Sequence, residues 1–173
     1  MRAGCRYAGG MQPTEQPDDL SPAELETWSS VATLLEWLPA ALDAQLQREA
    51  GLTHFEYGLL YALDRAEDRR LRMSTLAGYA HSSLSRLSRA ASRLEARSLL
   101  RREPDPTDGR YTLAILTDEG AAARRAAAPG HVDLVSRAVF APLTAAQQKQ
   151  LGVIARRILA TLGEEPGWRP PSA

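Results

Sequence analysis

Residues 82–110 read SSLSRLSRAASRLEARSLLRREPDPTDGR. In the first half Leu84, Leu87, Ala91 and Leu94 recur at i, i+3, i+7 and i+10, one stripe of an α-helix. Ser83, Arg86, Arg89 or Ala90, Arg93 and Arg97 fall on the other side. In the second half, residues 99–103 and 110–116 read as two strands. Between them Pro104, Asp105, Pro106, Thr107, Asp108 and Gly109 are dense in turn formers. Neither Pro104 nor Pro106 has an amide to give a ladder, so the tip is expected outside the sheet. A Ser/Arg helix followed by a basic hairpin suits a DNA duplex.

Working upstream, Leu71, Arg72 and Met73 read as a short strand. Ser74 reads as the cap of a short helix carrying Leu76, Ala77 and Tyr79. His81 lies in a tight connection, and Ser82 reads as the cap of the next helix. Two short helices about a tight turn, the second with an apolar back and a polar front, predict a helix-turn-helix whose second helix enters the major groove. The hairpin makes it winged.

The flanks read as long helices. Ser21, Pro22 and Glu24 form a helix start with a capping box. Trp28, Val31, Leu35, Leu38, Leu42 and Leu46 then form one stripe, Trp37 lies off it, Pro39 predicts a kink and Gly51 a stop. Thr53 and Glu56 form a second capping box, opening a helix through Phe55, Leu59, Leu60 and Leu63. Residues 64–70, all charged but Ala66, read as a loop. Thr117 reads as the cap of a further helix, with a break or kink expected at Pro129-Gly130. Thr144 and Gln147 form a third box before Leu151, Ile154, Ile158 and Leu162.

The predicted fold is mainly α with a small β-wing. A winged helix-turn-helix, about residues 53–116, is flanked by dimerisation helices over 21–50 and 117–162. Residues 1–20 and 163–173 read as flexible tails. The terminal stripes exceed what the small central module can cover, so they predict a homodimer. Two recognition helices set about 34 Å apart would read a palindromic duplex.

Net charge is zero, yet residues 69–110 carry ten arginines and four acids, 10 − 4 = +6, which leaves −6 elsewhere. The single cysteine, Cys5, excludes an internal disulfide and a cysteine-based metal site. No apolar run approaches the roughly 20 residues of a membrane helix, and no secretory signal is apparent. The expected location is the cytoplasm, on the nucleoid. His54, His81 and His131 lack metal-ligand spacing. No nucleophile–base set or Gly-rich phosphate loop points to an enzyme, and neither metal nor cofactor is expected.

Several strings resemble the MarR family of winged-helix transcription regulators. They are Leu71-Arg72-Met73-Ser74-Thr75-Leu76-Ala77, Arg93-Leu94-Glu95-Ala96-Arg97, Leu99-Leu100-Arg101-Arg102, Asp105-Pro106-Thr107-Asp108-Gly109-Arg110 and Leu116-Thr117-Asp118-Glu119-Gly120. In order, the similarity covers about residues 24–162. It implies a homodimer on palindromic DNA, commonly a repressor of nearby genes, released by a small phenolic or lipophilic effector. The family commonly has Gly where Ser98 stands and often Arg where Thr107 stands.

The expected DNA contacts are Ser82, Ser83, Ser85, Arg86 and Arg89 on the recognition helix and Arg110 on the wing. Serine hydroxyls and the helix N-terminus suit phosphates, and arginine suits guanine edges. The resemblance sends Arg110 to the minor groove, with Asp108 as its buttress. Trp37, Tyr57 and His131 are candidate effector-pocket residues, against the plainer reading of core or dimer packing. The alternative function is a winged-helix interaction module, or a ligand-binding protein without operator control. Arginines concentrated on helix and wing favour the DNA reading.

Overall fold

The computed structural model describes residues 20–162. In chain order these form α1 (Pro22–Ala50), α2 (His54–Arg65), a 3₁₀ turn (Glu67–Arg69), β1 (Arg70–Arg72), α3 (Met73–Tyr79) and α4 (Leu84–Ala96). Then follow β2 (Leu100–Pro104), β3 (Thr112–Leu116), α5 (Asp118–Val135), a π turn (Ser136–Phe140) and α6 (Ala145–Thr161). The architecture is mainly helical with one three-stranded antiparallel sheet, in the order β1-β3-β2. The Cys5 tail and residues 163–173 lie outside the described residues. The chain divides after Trp37 into two compact units.

In the first unit the box at the start of α1 closes as expected. The Ser21 amide donates to Glu24 Oε2 at 2.9 Å, and the Glu24 amide donates back to Ser21 Oγ at 3.4 Å. Leu25, Trp28, Leu34, Leu35 and Trp37 are all exposed.

The second unit holds the core. Leu52, Leu59, Leu60, Leu63, Leu76, Leu87, Leu94 and Leu100 are buried together with Ala90, Ala91, Ala114 and Ala121. Leu46, Tyr57 and Ala127 form a smaller cluster. Both remaining boxes close, Thr53 with Glu56 and Thr144 with Gln147. Among its residues α6 buries none.

Three tight turns fix the helix angles. Gly51 ends α1 at φ +62°. His81 takes φ +49° in the helix-turn-helix turn, where its amide donates to Gly78 O and that of Ser82 to Ala77 O. Ser98 takes φ +57° after α4; its amide donates to Glu95 O at 2.9 Å and that of Leu99 to Leu94 O at 2.9 Å. Both are the paired closing bonds of a left-handed helix cap. Ser98 thus does in the left-handed region what the family's glycine does at lower steric cost. Gly120, two residues into α5, is required by closeness: a Cβ there would run into the Leu99 carbonyl and Leu116 Cδ1.

Several boundaries move from the sequence reading. Ser82 is not the cap of α4: its amide closes the preceding turn, and Ser83 is the cap, its Oγ accepting from the Arg86 amide. Ser74 caps nothing, since α3 starts at Met73 behind Arg72. Leu84 is 56% exposed and Ala90 is buried, so the buried stripe is Leu87, Ala90, Ala91 and Leu94. Residues 64–70 are not one loop: they finish α2, form the 3₁₀ turn and open β1. Pro104 closes β2 opposite Thr112, at the strand end where no further donor is needed. Nor is there a break at Pro129-Gly130. Helix α5 runs through both, and its irregularity comes later, in the π turn. Gly130 instead makes room for Gln45 and Glu49 of α1.

The wing is tied to the sheet from below. Arg72 donates from Nε to Asp105 Oδ2 at 2.7 Å, and its guanidinium lies 4.4 Å from the centre of the Tyr111 ring. Asp105 also accepts from the Thr107 hydroxyl at 2.6 Å and the Thr107 amide at 2.9 Å. Thr107, then Arg72, hold this carboxyl down at about 2. Thr107 therefore serves the inside of the wing.

Two outcomes are expected. Replacing Ser98→Gly removes left-handed strain of about 1–2 kcal/mol but adds unfolded-chain entropy of about 0.5–1 kcal/mol. The net gain, under about 1 kcal/mol, is read as a raised denaturation midpoint; a lowered midpoint would contradict the strain at this turn. A carboxylate depressed by folding stabilises above its ordinary value of 3.8 and loses that contribution as pH falls toward 2. The stability gap between wild type and Asp105→Asn should therefore be constant above about pH 5 and close between about pH 4 and 2. A gap that persists unchanged in denaturant melts at pH 2 would sink the assignment.

Candidate nucleic-acid interface

Helix α4 presents its N-terminus and one face to solvent. Ser83 and Ser85 are exposed, with hydroxyls 3.1 Å apart, and Ser82 is half-buried just before them. Arg86 and Arg89 are exposed on the same helix. Donors at a helix N-terminus beside two arginines make a site for anions.

Most of the basic stretch is already engaged. Arg69 pairs with Asp118 and Asp64, Arg70 with Asp68, Arg72 with Asp105, and Arg101 with Glu103. Arg93 donates to Glu56 at 2.7 Å. Arg97 caps the end of α1, donating to Gly51 O at 2.6 Å and Ala50 O at 3.1 Å. Arg102 turns inward onto α4, bonding Glu95, Ser88 and Ser92. This leaves Arg101 as the outward member of the alternating pair. Glu95 is held below its ordinary carboxylate range chiefly by Arg102. Among the described residues, Arg86 and Arg89 form no ion pair. Within residues 69–110 the arginines that no carboxylate matches are Arg86, Arg89 and Arg97, and Arg97 is turned onto the end of α1.

Arg110 stands on the wing tip with its side chain 83% exposed. Asp108 grips it from one side, accepting from Nε at 2.9 Å and from Nη2 at 2.6 Å. The Arg110 guanidinium in turn holds the Asp108 carboxyl below its usual value. One edge of the guanidinium is thus fixed, and the rest projects outward, a geometry suited to a narrow, negative groove.

A separate cavity of about 360 Å³ is lined by His54, Tyr57, Gly58, Tyr61 and His131. The rings of His54 and His131 stack at 5.6 Å, and Tyr57 lies 4.6 Å from His131. Burial lowers both histidines, and His54 lowers His131 further; both imidazoles are neutral at pH 7. Burial also raises the Tyr57 phenol, against the nearby Arg124. The Nδ1 atom of His131 is buried without a hydrogen-bond partner. Tyr57 and His131 were expected in such a cavity. Trp37 belongs to the first unit, where it is 74% exposed. His54 and Tyr61 were missed, although His54 at the first position of α2 and Tyr61 one turn beyond Tyr57 share that helix's polar-aromatic edge.

A family model described as the MarR family matches residues 50–110. Among solved structures, Sco3205 from Streptomyces coelicolor, a MarR family transcriptional regulator in complex with DNA, is 46% identical. The match covers 89% of this chain and 98% of that one, with a TM-score of 0.83. AbsC, another MarR family regulator from that organism, is 34% identical over 83% of this chain and 96% of its own, with a TM-score of 0.79. PcaV from the same organism, a transcriptional regulator in complex with its natural ligand, is 28% identical over 80% and 92%, with a TM-score of 0.61. Among curated proteins nothing matches. With a relative of 46% identity spanned almost end to end, and with this fold, the chain belongs to the MarR family of transcriptional regulators.

Proposed function

We propose that this protein is a homodimeric, sequence-specific DNA-binding regulator, a repressor of nearby genes that a small phenolic or lipophilic effector releases from a palindromic site. The observation that carries the DNA reading is the exposure of Arg86 and Arg89 without an ion pair, beside Arg110 at the wing tip, whose side chain stays 83% exposed although Asp108 holds one edge of it. Ser82, Ser83 and Ser85 take backbone phosphates at the start of α4, Arg86 and Arg89 take base edges, and Arg110 takes the minor groove. The relative solved on DNA supports this. The functional domain spans residues 21–162.

The dimer reading rests on unburied apolar faces. Leu151, Ile154, Ile158 and Leu162 of α6 are exposed, as are Trp28 and Leu35 of α1. Each of these helices leaves large apolar side chains uncovered, as helices that enter an interface do. The effector reading rests on the cavity at His54, Tyr57 and His131, with neutral aromatic walls and one orphaned ring nitrogen. A relative solved with its natural ligand supports it. Among the described residues no helix is long and apolar enough to cross a membrane.

Replacing Arg110→Ala should weaken binding to a duplex selected from a random pool by about tenfold and make the slope of log K against log salt shallower. The melting temperature should stay within a degree or so, as expected for an exposed residue. Unchanged affinity would remove the wing from the interface. Introducing a charge with Ile158→Asp, at a position 53% exposed in the single chain, should give monomers in analytical ultracentrifugation with helical circular dichroism retained. A variant that stays dimeric would place the interface elsewhere.

A further inference from the structure

Arg86 is exposed, yet it does not extend freely into solvent. Its guanidinium lies 4.5 Å from the centre of the Phe55 ring on α2. Phe55 is itself half-buried against the main core. Seven residues on, two turns along the same face of α4, Arg93 is held by Glu56. Two consecutive residues of α2 thus hold two arginines of the recognition helix. Between those two, Arg89 lines the same groove with Thr53 and Asp43. The Phe55 contact is a cation–π contact, which holds a guanidinium over the ring face without using any of its five N–H donors. A free arginine must give up its rotamer freedom when it docks on a base edge. One already lying on a ring has given up most of it beforehand.

We propose that Phe55 is a positioning residue for DNA reading: its ring pre-aims Arg86, so sequence discrimination depends on a side chain of α2, outside the helix pair α3 and α4. This rests on the DNA-binding reading above. It differs from a packing role in what it changes. Poorer packing would lower binding to every duplex alike, whereas a misaimed Arg86 keeps its charge for phosphates and loses only the base contact.

The test uses the full chain with two duplexes, one selected from a random pool by the wild type and one of equal length with shuffled sequence. Phe55→Leu keeps the apolar bulk and removes the ring face; Phe55→Met serves if the leucine variant proves less than fully folded by circular dichroism. The variant should lose about tenfold on the selected duplex, the low end for losing one base-reading arginine. On the shuffled duplex it should stay within about twofold of wild type. Phe55→Tyr, which keeps the ring, should restore discrimination. In an Arg86→Gln background, Phe55→Leu should cost nothing beyond about twofold. Equal losses on both duplexes, or the same tenfold loss without Arg86, would overturn the proposal. A wild type that selects no duplex at all would instead overturn the DNA-binding reading beneath it.

Discussion

The Glu56 carboxylate makes two bonds at once, and the arrangement of the central module depends on both. One oxygen accepts the Thr53 amide at 3.0 Å and closes the cap of α2. The other accepts Arg93 Nε at 2.7 Å and ties α2 to the recognition helix. The Glu56 side chain is only 5% exposed, so an unpartnered charge there would be costly. Its neighbours use the same turn. The His54 amide donates to Asp43 of α1 at 2.7 Å, its ring meets His131 of α5, and Phe55 lies under Arg86. A four-residue helix start therefore touches α1, α4 and α5, and it borders both the cavity and the proposed DNA-reading face.

Around that junction, left-handed residues set the directions of the chain. His81 turns α3 into α4, and Ser98 turns α4 into the wing. Each cap uses two backbone amides; in the first the Ser82 amide closes the turn, and the next residue, Ser83, caps α4 through its hydroxyl. The close seat of Gly120 against Leu99 then lets α5 leave the sheet directly beneath the Ser98 turn, which the Thr117 hydroxyl also ties down by donating to Ser98 O at 2.7 Å.

Charge is sorted by the same economy. Acids on neighbouring elements pair with Arg69, Arg70, Arg72, Arg93 and Arg102, which become struts. Arg86 and Arg89 on the recognition helix and Arg110 on the wing tip sit on the two elements that a winged helix-turn-helix offers to a duplex. A zero net charge and a local basic face are thus compatible, because what matters to a polyanion is the charge within a Debye length of contact, roughly 8–10 Å.

The sequence by itself determined the helix starts at Ser21, Thr53, Thr117 and Thr144, the turn residues of the wing and the apolar stripes that set the class of fold. These are local: a cap, a turn or an apolar stripe is decided by residues within about four positions of one another. Tertiary structure alone decided which cap won at Ser82 and Ser83, why α5 runs through Pro129, and that Leu84 faces outward while Ala90 is buried. It also decided which arginines are struts and which face solvent. Those outcomes depend on partners far along the chain. Glu56 lies 37 residues from Arg93, and Asp105 lies 33 residues from Arg72. No pattern of spacing along a strand or helix encodes such a pairing, because it exists only once the core has brought the elements together.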